Sequence, residues 1–388
     1  MRILSIESSA DETAVSIVET VGNFPTATYT LLGNSLRSQV ELHNTYGGIF
    51  PMMAKREHAK ALVPLLTLAL TEAELLDEGS TSVSDTNALN EILGREEGLA
   101  GELLTFFTKY SLPEIDLIAV TSGPGLEPAL WVGISFAKAL AFVLKCPVVP
   151  VNHMEGHILA SLYNVVEDDK LAQIAFPAIA LLVSGGHTEL VLMRDWIKYE
   201  KIGQTRDDAV GEAFDKVARL MGLPYPGGPE IGKRAALART QNLPPYKEAL
   251  PRPMLHSADF DFSFSGLKTA VRYSVEGETL TEDNKNALAR DFEDAAIEVL
   301  LKKTTKALDH HHAQTVIIGG GVSANTYLRD TFTQTLLKSH PDVEIYLPHR
   351  QLSTDNSIMI ALAGHAELAT ARTAGAIPLI RAEGNRSL

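Results

Sequence analysis

Residues 2–18 read RILSIESSADETAVSIV, in which two apolar runs, Arg2 to Ile6 and Ala14 to Val18, flank a polar turn. Residues 178–193, AIALLVSGGHTELVLM, repeat this scheme around the small polar turn Ser184 to Thr188. Two apolar runs joined by a short polar turn predict a β-hairpin with a polar tip. The repetition indicates a duplicated fold, and we expect the two tips to face each other across a cleft.

The chain has 388 residues, of which 45% are hydrophobic and 21% charged, and it is long enough for two domains. Strand-like runs alternate with longer helical patterns, which indicates the α/β class. We expect a first domain at 1–150, a second at 151–354, and a helix and tail at 355–388 that return toward the cleft. Residues 78–109, rich in Ser, Thr, Glu and Gly, predict an exposed insertion, and 381–388 predict a loose tail.

The charge balance limits the classes of partner. The chain carries 34 Lys and Arg against 48 Asp and Glu, a formal charge of −14. Its surface is therefore not basic throughout, so nucleic acid would bind through a local patch or with the help of partner proteins. No leader segment precedes the first strand and no apolar run approaches the ~20 residues of a membrane span, so we expect a cytoplasmic protein with no membrane partner.

The metal-ligating residue types are His and carboxylate, because the lone Cys146 cannot form a thiolate cluster. His153 and His157, in HMEGH, open a predicted helix, and their i, i+4 spacing places both imidazoles on one face. The motif alone also fits two histidines that merely cap or pack. Glu155 lies on another helix face, so the general base of a zinc peptidase is not in place.

A third ligand would have to come from elsewhere in the chain, and Asp355 is one candidate. It lies where a predicted helix begins, so a first-turn carboxylate that is stabilised by the helix dipole is an equal interpretation. Spacing does not decide between the two. A set of two histidines and one carboxylate leaves open coordination positions, which suits Fe²⁺, Zn²⁺ or Mg²⁺ acting as a Lewis acid.

Three further features are candidates for chemistry. Asp11 and Glu12 lie on the first hairpin tip, where a carboxylate could accept a proton from an attacking amine. Alternatively, they are ordinary acidic residues of an exposed turn, and this interpretation is stronger for Glu12 than for Asp11. Asp215, in a predicted helix, is either a solvated charge or a ligand for ribose hydroxyls. The turn at 319–325, between a strand and a helix, is either an anion cradle or a tight connection.

Ten motifs occur together in the order that is typical of one family. They are IESSADET (6–13), YGGIFP (46–51), TSGPGL (121–126), HMEGH (153–157), LLVSGGHTEL (181–190), GEAFDK (211–216), YPGGP (225–229), DFSFSGLKT (261–269), GGGVSAN (319–325) and STDN (353–356). In these motifs the chain resembles the TsaD family of bacterial tRNA threonylcarbamoyladenosine synthesis proteins, formerly called O-sialoglycoprotein endopeptidases. The resemblance covers nearly the whole chain outside 78–109 and the tail.

This resemblance implies a two-lobed actin-like or Hsp70-like ATPase fold with duplicated ribonuclease-H-like domains. It implies transfer of a threonylcarbamoyl group from threonylcarbamoyl-AMP to N6 of adenine 37 in tRNAs that read ANN codons, forming t6A. Helper proteins similar to TsaB and TsaE are implied as partners, together with one divalent metal per subunit, usually described as iron. ATP or an analogue is an alternative occupant of the same cleft.

The resemblance also implies roles for individual residues. His153, His157 and Asp355 would hold the metal. The substrate would be bound by Leu182, Val183, Ser184, Gly185, Gly186, Asp215, Gly228 and Asn325. Asp11 and Glu12 are our candidates for the catalytic carboxylates.

The chain departs from the family pattern at several positions. Ala10 replaces the usual cysteine of the first turn, Met52 replaces a usual glutamate, and Glu127 stands where small residues are common. Leu182 occupies the position of a tyrosine metal ligand in archaeal and eukaryotic relatives, and His187 follows the bacterial pattern, so the chain is of bacterial type.

Two other functions fit parts of the sequence. A metallopeptidase would use the two histidines but lacks a general base at the required spacing. A non-catalytic nucleotide-binding assembly subunit would use the glycine-rich turns but would not need a full set of metal ligands. The sequence favours the metal-dependent acyltransferase over both.

Overall fold

The computed structural model describes residues 1–44, 46–373 and 375–388, and the chain divides into two compact units. Unit 1 comprises 1–42, 49–173 and 355–388, and unit 2 comprises 43–48 and 174–354.

The division between the units falls after residue 173, rather than after residue 150 as the sequence suggests. The helix His153–Leu162 packs against the helix Ser357–Ala366, and both belong to unit 1. This contact joins the helix His153–Leu162 to the C-terminal piece of unit 1, residues 355–388.

The secondary-structure elements are numbered here in chain order. The strands are β1 (Arg2–Glu7), β2 (Glu12–Val21), β3 (Thr28–Ser38), β4 (Asp77–Glu78), β5 (Tyr110–Ser111), β6 (Leu117–Gly123), β7 (Val148–Asn152), β8 (Tyr163–Asn164), β9 (Lys170–Leu171), β10 (Ala178–Val183), β11 (Thr188–Asp195), β12 (Lys198–Gln204), β13 (Thr315–Gly319) and β14 (Glu344–Tyr346). The helices are α1 (Val40–Asn44), α2 (Pro51–Glu72), α3 (Thr86–Ile92), α4 (Leu99–Lys109), α5 (Glu127–Leu144), α6 (His153–Leu162), α7 (Val210–Leu220), α8 (Gly227–Thr240), α9 (Ser265–Val275), α10 (Glu282–His311), α11 (Thr326–Ser339) and α12 (Ser357–Ala366).

Each unit contains one large mixed sheet. The strand order is β7-β6-β1-β2-β3-β9-β8 in unit 1 and β12-β11-β10-β13-β14 in unit 2. Both predicted hairpins are confirmed, since β1 pairs antiparallel with β2 and β10 with β11. In each sheet the hairpin is extended by a third antiparallel strand on one side and two parallel strands on the other. The α/β class is confirmed, and the two sheets share one topology over five strands.

The segment 78–109 is not an exposed insertion, so that expectation is wrong. It contains α3 and α4, and Leu89, Leu103 and Phe107 are at most 1% exposed within the core of unit 1. The apolar residues of α4 recur three and four positions apart and so form one buried face. The Ser- and Gly-rich composition of the segment conceals this spacing.

The segment 381–388 is not a loose tail either. The backbone N–H of Glu383 donates to the carbonyl of Ser122 at 2.8 Å, and the side-chain amide of Asn152 donates to the carbonyl of Ser387 at 3.1 Å. These bonds attach the segment to the carboxyl ends of β6 and β7.

Helix α5 is long and apolar enough to cross a membrane by length and composition alone. However, 61% of it is buried inside the protein, as is typical of a core helix.

Candidate metal centre and substrate site

Helix α6 brings the two histidines of HMEGH onto one face. It begins at His153 because Asn152 caps it: the Asn152 side-chain oxygen accepts hydrogen bonds from the N–H groups of Met154 at 2.9 Å and Glu155 at 3.4 Å. One turn later comes His157, and the two ring centroids lie 4.7 Å apart. Both rings are buried, so neither is a surface histidine.

Asp355 joins the two histidines from the loop before α12. Its Oδ1 atom lies 3.4 Å from Nε2 of His153 and 3.2 Å from Nε2 of His157. The cap of α12 is Asn356, whose side-chain oxygen accepts from the N–H of Met359 at 3.0 Å. A capping role therefore does not account for Asp355.

The donor atoms of this triad suit a cation. One ligand atom from each of His153, His157 and Asp355 lies within 4.8 Å of the others. Nε2 of His157 is buried and makes no hydrogen bond of acceptable geometry within the described part of the chain. Its contact with Asp355 is therefore an ion pair without good hydrogen-bond geometry, and a buried imidazole nitrogen in that state is costly unless something else binds it. Two imidazoles and a carboxylate are ligands that Fe²⁺ and Zn²⁺ accept, so the residues fit a divalent metal.

Charge coupling within the triad is strong. Burial alone would raise the pKa of Asp355, but His153 and His157 hold that pKa far below its usual range. Burial alone would lower the pKa of His153, but Asp355 and Glu7 raise it well above its usual value. Burial is the largest cause that lowers the pKa of His157. The site thus concentrates negative charge around His153, where a metal would take the place of a proton.

Glu7, at the end of β1, is a site residue that the sequence analysis missed. It is fully buried, and its Oε2 lies 3.1 Å from Nδ1 of His153. Thr121 donates its hydroxyl to Oε2 at 2.6 Å and the N–H of Ser9 donates to Oε1 at 2.5 Å. With Nδ1–H directed to Glu7, Nε2 of His153 faces Asp355. The signal in the sequence was an acidic residue at the end of an apolar strand.

Asp11 and Glu12 occupy the turn between β1 and β2, as predicted. Asp11 is 9% exposed, and its carbonyl accepts from the N–H of Gln39 at 2.8 Å. The Glu12 carboxyl accepts from the hydroxyl of Ser38 at 3.1 Å. Burial, followed by the charges of Asp11 and Asp355, raises the pKa of Glu12 to about 10. Glu12 therefore keeps its proton at neutral pH, which leaves Asp11 as the candidate base.

In unit 2, the tip of the second hairpin lies against the start of a helix. Ser184 closes the tip, because its N–H donates to the carbonyl of His187 at 2.9 Å. The N–H of Gly211, in the first turn of α7, donates to the carbonyl of Ser184 at 3.2 Å. Gly185 and Gly186 are exposed, with open space beside them. An accessible glycine backbone next to the N-terminus of α7 suits the binding of an anion.

The end of β10 precedes this tip. Leu182 and Val183 are fully buried, and the side chain of Val183 belongs to the hydrophobic core of unit 2. Gly320 has φ of +90°, and a Cβ there would lie 2.4 Å from the carbonyl oxygen of Val183. Only glycine fits this close approach, which brings the turn at 319–325 beside the hairpin tip.

Of the remaining predicted substrate residues, Asp215 lies on α7, Gly228 on α8 and Asn325 directly before α11. Asp215 accepts from the N–H of Gly227 at 2.7 Å and so fixes the start of α8, where Gly228 follows with open space beside it. Asn325 caps α11 by accepting from Leu328 N–H at 2.8 Å, and it donates to Oε1 of Glu293 at 2.6 Å. The contacts described here, all within unit 2, thus involve each of the eight predicted substrate residues or a residue next to it in the sequence.

Comparison with known proteins identifies one family. The family model of tRNA N6-adenosine threonylcarbamoyltransferase, TsaD, matches residues 30–81 and 102–362. A protein of this description from Neisseria gonorrhoeae is 39% identical over 97% of this chain and 96% of its own length. Another, from Chromobacterium violaceum, is 40% identical over 97% of this chain and 95% of its own length.

Among solved structures, full-length HypF is similar in fold. The crystal structure of full-length HypF, in its phosphate- and nucleotide-bound form, has a TM-score of 0.51 and 12% identity, and it covers 95% of this chain. The present chain spans 55% of that HypF chain. At this identity the likeness concerns the fold alone.

Proposed function

This chain belongs to the TsaD family of tRNA N6-adenosine threonylcarbamoyltransferases, and we propose that its His153, His157 and Asp355 hold a divalent metal for that transfer. The enzyme is an acyltransferase that modifies N6 of an adenosine in tRNA. The observation that carries the proposal is that one ligand atom from each of His153, His157 and Asp355 lies within 4.8 Å of the others. Family membership sets aside both the metallopeptidase and the non-catalytic assembly subunit.

Fe²⁺ is the expected ion, with Zn²⁺ and Mg²⁺ as alternatives, one per subunit. When bound, such an ion supplies a Lewis acid for an oxygen of the acyl donor. The chain's own contribution is to hold the ligands in place: Asn152 fixes the start of α6, and Glu7 fixes the ring of His153.

The donor that we propose is threonylcarbamoyl-AMP, with ATP or an analogue as an alternative occupant. The backbone of Ser184, Gly185 and Gly186, beside the start of α7, suits its phosphate. The substrate set also includes Leu182, Val183, Gly228 and Asn325. The Asp215 carboxylate is suited to ribose hydroxyls.

The acceptor that we propose is N6 of adenine 37 in tRNAs that read ANN codons. N6 attacks the carbamoyl carbon, a C–N bond forms, and the C–O bond to AMP breaks with its electron pair leaving on AMP. Asp11 takes the proton lost by N6, because Glu12 is already protonated at neutral pH. The product is t6A.

We further propose that the two units are duplicated ribonuclease-H-like domains of an actin-like or Hsp70-like ATPase fold. Their shared five-strand topology supports this. The formal charge of −14 favours binding of tRNA with the assistance of partner proteins, and the proposed partners are similar to TsaB and TsaE. We place the protein in the cytoplasm, without a membrane partner.

A transfer assay tests this proposal. The protein is mixed with unmodified ANN-decoding tRNA, the helper proteins, threonine, bicarbonate and ATP, and t6A is scored by nucleoside mass spectrometry. Wild type and Glu155→Gln should form t6A and retain metal, whereas His153→Ala and Asp355→Ala, checked for folding by circular dichroism, should lose both. Full activity in the two triad variants would refute the metal assignment.

A further inference from the structure

The segment 381–388 contacts the backbone that carries the metal-binding helix. Arg386 lies between the ends of two parallel strands: its Nη1 donates to the hydroxyl of Ser122 on β6 and, at 3.1 Å, to the carbonyl of Pro150 on β7. The Ser122 hydroxyl in turn donates to the carbonyl of Val151 at 3.3 Å. The guanidinium therefore ties β6 to β7 just before α6 begins.

A second contact acts on the cap of α6 itself. The Asn152 side chain accepts from Met154 N–H with its oxygen and donates with its nitrogen to the carbonyl of Ser387 at 3.1 Å. This second bond fixes which way the amide points, so that its oxygen faces the helix. The first turn of α6, with His153, depends on that orientation.

A third contact runs through the loop after β6. The N–H of Gly125 donates to the carbonyl of Gly384 at 3.1 Å, and the N–H of Leu126 donates to the carbonyl of Ser9 at 2.7 Å. The Ser9 hydroxyl lies 3.3 Å from Nδ1 of His153. The same loop therefore contacts the segment on one side and a neighbour of the histidine on the other.

The fit between the segment and β6 is close. A Cβ on Gly123, which has φ of +153°, would lie 2.0 Å from the carbonyl oxygen of Glu383 and 2.9 Å from Cβ of Arg386. Ile377 and Ile380, just before the segment, are 8% and 5% exposed and belong to the core of unit 1. The segment is thus anchored at its start and packed along its length.

We propose that residues 381–388 position the metal-binding histidines, acting through Asn152 and the loop 122–126, and that Arg386 is the main positioning residue. This inference rests on the proposed metal centre. Among the bonds described, residues 381–388 reach the metal ligands only through Asn152, Ser122 and the loop 122–126, so their effect is to restrict the start of α6 and the surroundings of His153.

The test compares four variants. Arg386→Ala removes the tie, Arg386→Lys restores a cation without the planar fork, and truncation after Ile380 removes the whole segment. The matched control is Arg381→Ala, because the Arg381 guanidinium donates only to the carbonyls of Pro378 and Ile380 among the bonds described.

Two measurements separate this inference from the metal proposal. Hydrogen–deuterium exchange of the metal-free protein should rise in peptides covering 122–126 and 153–157 in Arg386→Ala and in the truncation, but not in Arg381→Ala. Affinity for Co²⁺, measured by chelator competition together with the visible Co²⁺ spectrum, should fall about tenfold in the same two variants. In Arg386→Lys, the rise in exchange and the fall in Co²⁺ affinity should both be smaller than in Arg386→Ala.

Unchanged exchange and unchanged Co²⁺ affinity in both Arg386→Ala and the truncation would overturn the inference. If wild type bound no Co²⁺ while exchange still rose in the variants, the metal assignment would fail but the positioning of α6 by this segment would stand.

Discussion

The Oε2 atom of Glu7 lies 3.1 Å from Nδ1 of His153, and both side chains are buried. β1 and the start of α6 are far apart in sequence, yet this contact sets which nitrogen of the histidine faces Asp355. A carboxylate on the distal nitrogen of a ligating histidine holds the ring and increases its basicity. Glu7 therefore belongs to the site although it would not touch a metal.

Replacement of Glu7 should weaken metal binding without unfolding the protein. Glu7→Gln keeps the shape but removes the charge, and we expect affinity for a divalent metal to fall about 10- to 100-fold, measured by chelator competition. Glu155→Gln is the control, because Glu155 is a buried carboxylate on α6, the helix of His153, and lies outside the metal-ligating group. Equal affinities for wild type and Glu7→Gln would contradict this role.

The two acidic residues of the first hairpin tip should differ in their effect on catalysis. Asp11→Asn removes the proposed base and should slow single-turnover transfer by about 10²- to 10⁴-fold. Glu12→Gln replaces a carboxyl that is already neutral at pH 7, since its pKa is raised to about 10, and should retain most of the rate. The reverse ranking of the two variants would show that Glu12, not Asp11, accepts the proton.

Asp207 should stabilise unit 2 in a pH-dependent way. It accepts hydrogen bonds from Phe264 N–H at 2.8 Å and Ser265 N–H at 3.1 Å and so caps α9 from another loop. Burial alone would raise the pKa of Asp207, but these bonds and those from the Ser263 and Ser265 hydroxyls lower it below its usual 3.8.

At pH 7, Asp207→Ala should lower the free energy of unfolding by about 1–2 kcal/mol, measured by urea denaturation. Because the folded pKa is the lower one, this stabilisation is present above about pH 4 and is lost as pH falls through the folded pKa. The gap between wild type and variant should therefore close in acid, whereas Asp330→Ala, at an exposed position of α11, should change stability by less than about 0.5 kcal/mol at either pH. A gap that persists unchanged below pH 3 would mean that the carboxylate charge is not responsible.

The segment 78–109 should contribute to the stability of unit 1. Phe107 on α4 is 1% exposed, and Phe107→Ala should lower the free energy of unfolding by about 3–5 kcal/mol because it leaves a cavity. Thr105→Ala changes an exposed residue of the same helix and should cost less than about 0.5 kcal/mol. Similar denaturation curves for Phe107→Ala and wild type would restore the view of this segment as a surface loop.

The local features of the fold were predictable from the sequence because they depend on neighbours in the chain. The pairing of Ile6 with Val15 follows from apolar runs around a polar turn, and the shared face of His153 and His157 follows from their spacing. Asp355 could not be chosen by spacing, because the contact that brings it to the histidines is between distant parts of the chain.

The errors have physical causes as well. In 78–109 the polar composition outweighed the spacing of Leu99, Leu103 and Phe107, which predicts a buried helix face. The segment 381–388 has no apolar pattern because its partners are mostly backbone groups, such as the carbonyl of Ser122. The role of Glu7 is hard to predict because an acidic residue before a polar turn resembles part of that turn.

Unit 1 is discontinuous in sequence: residues 174–354, which belong to unit 2, separate residues 355–388 from the earlier parts of unit 1. During synthesis, the ribosome adds Asp355 roughly 200 residues after His157, an interval of about 10–40 s at ordinary translation rates. Throughout that interval the growing chain carries two of the three proposed ligands. The proposed three-ligand centre can therefore form only after translation of residues 174–354, so any loading of an ion by all three ligands comes late in the synthesis of each molecule.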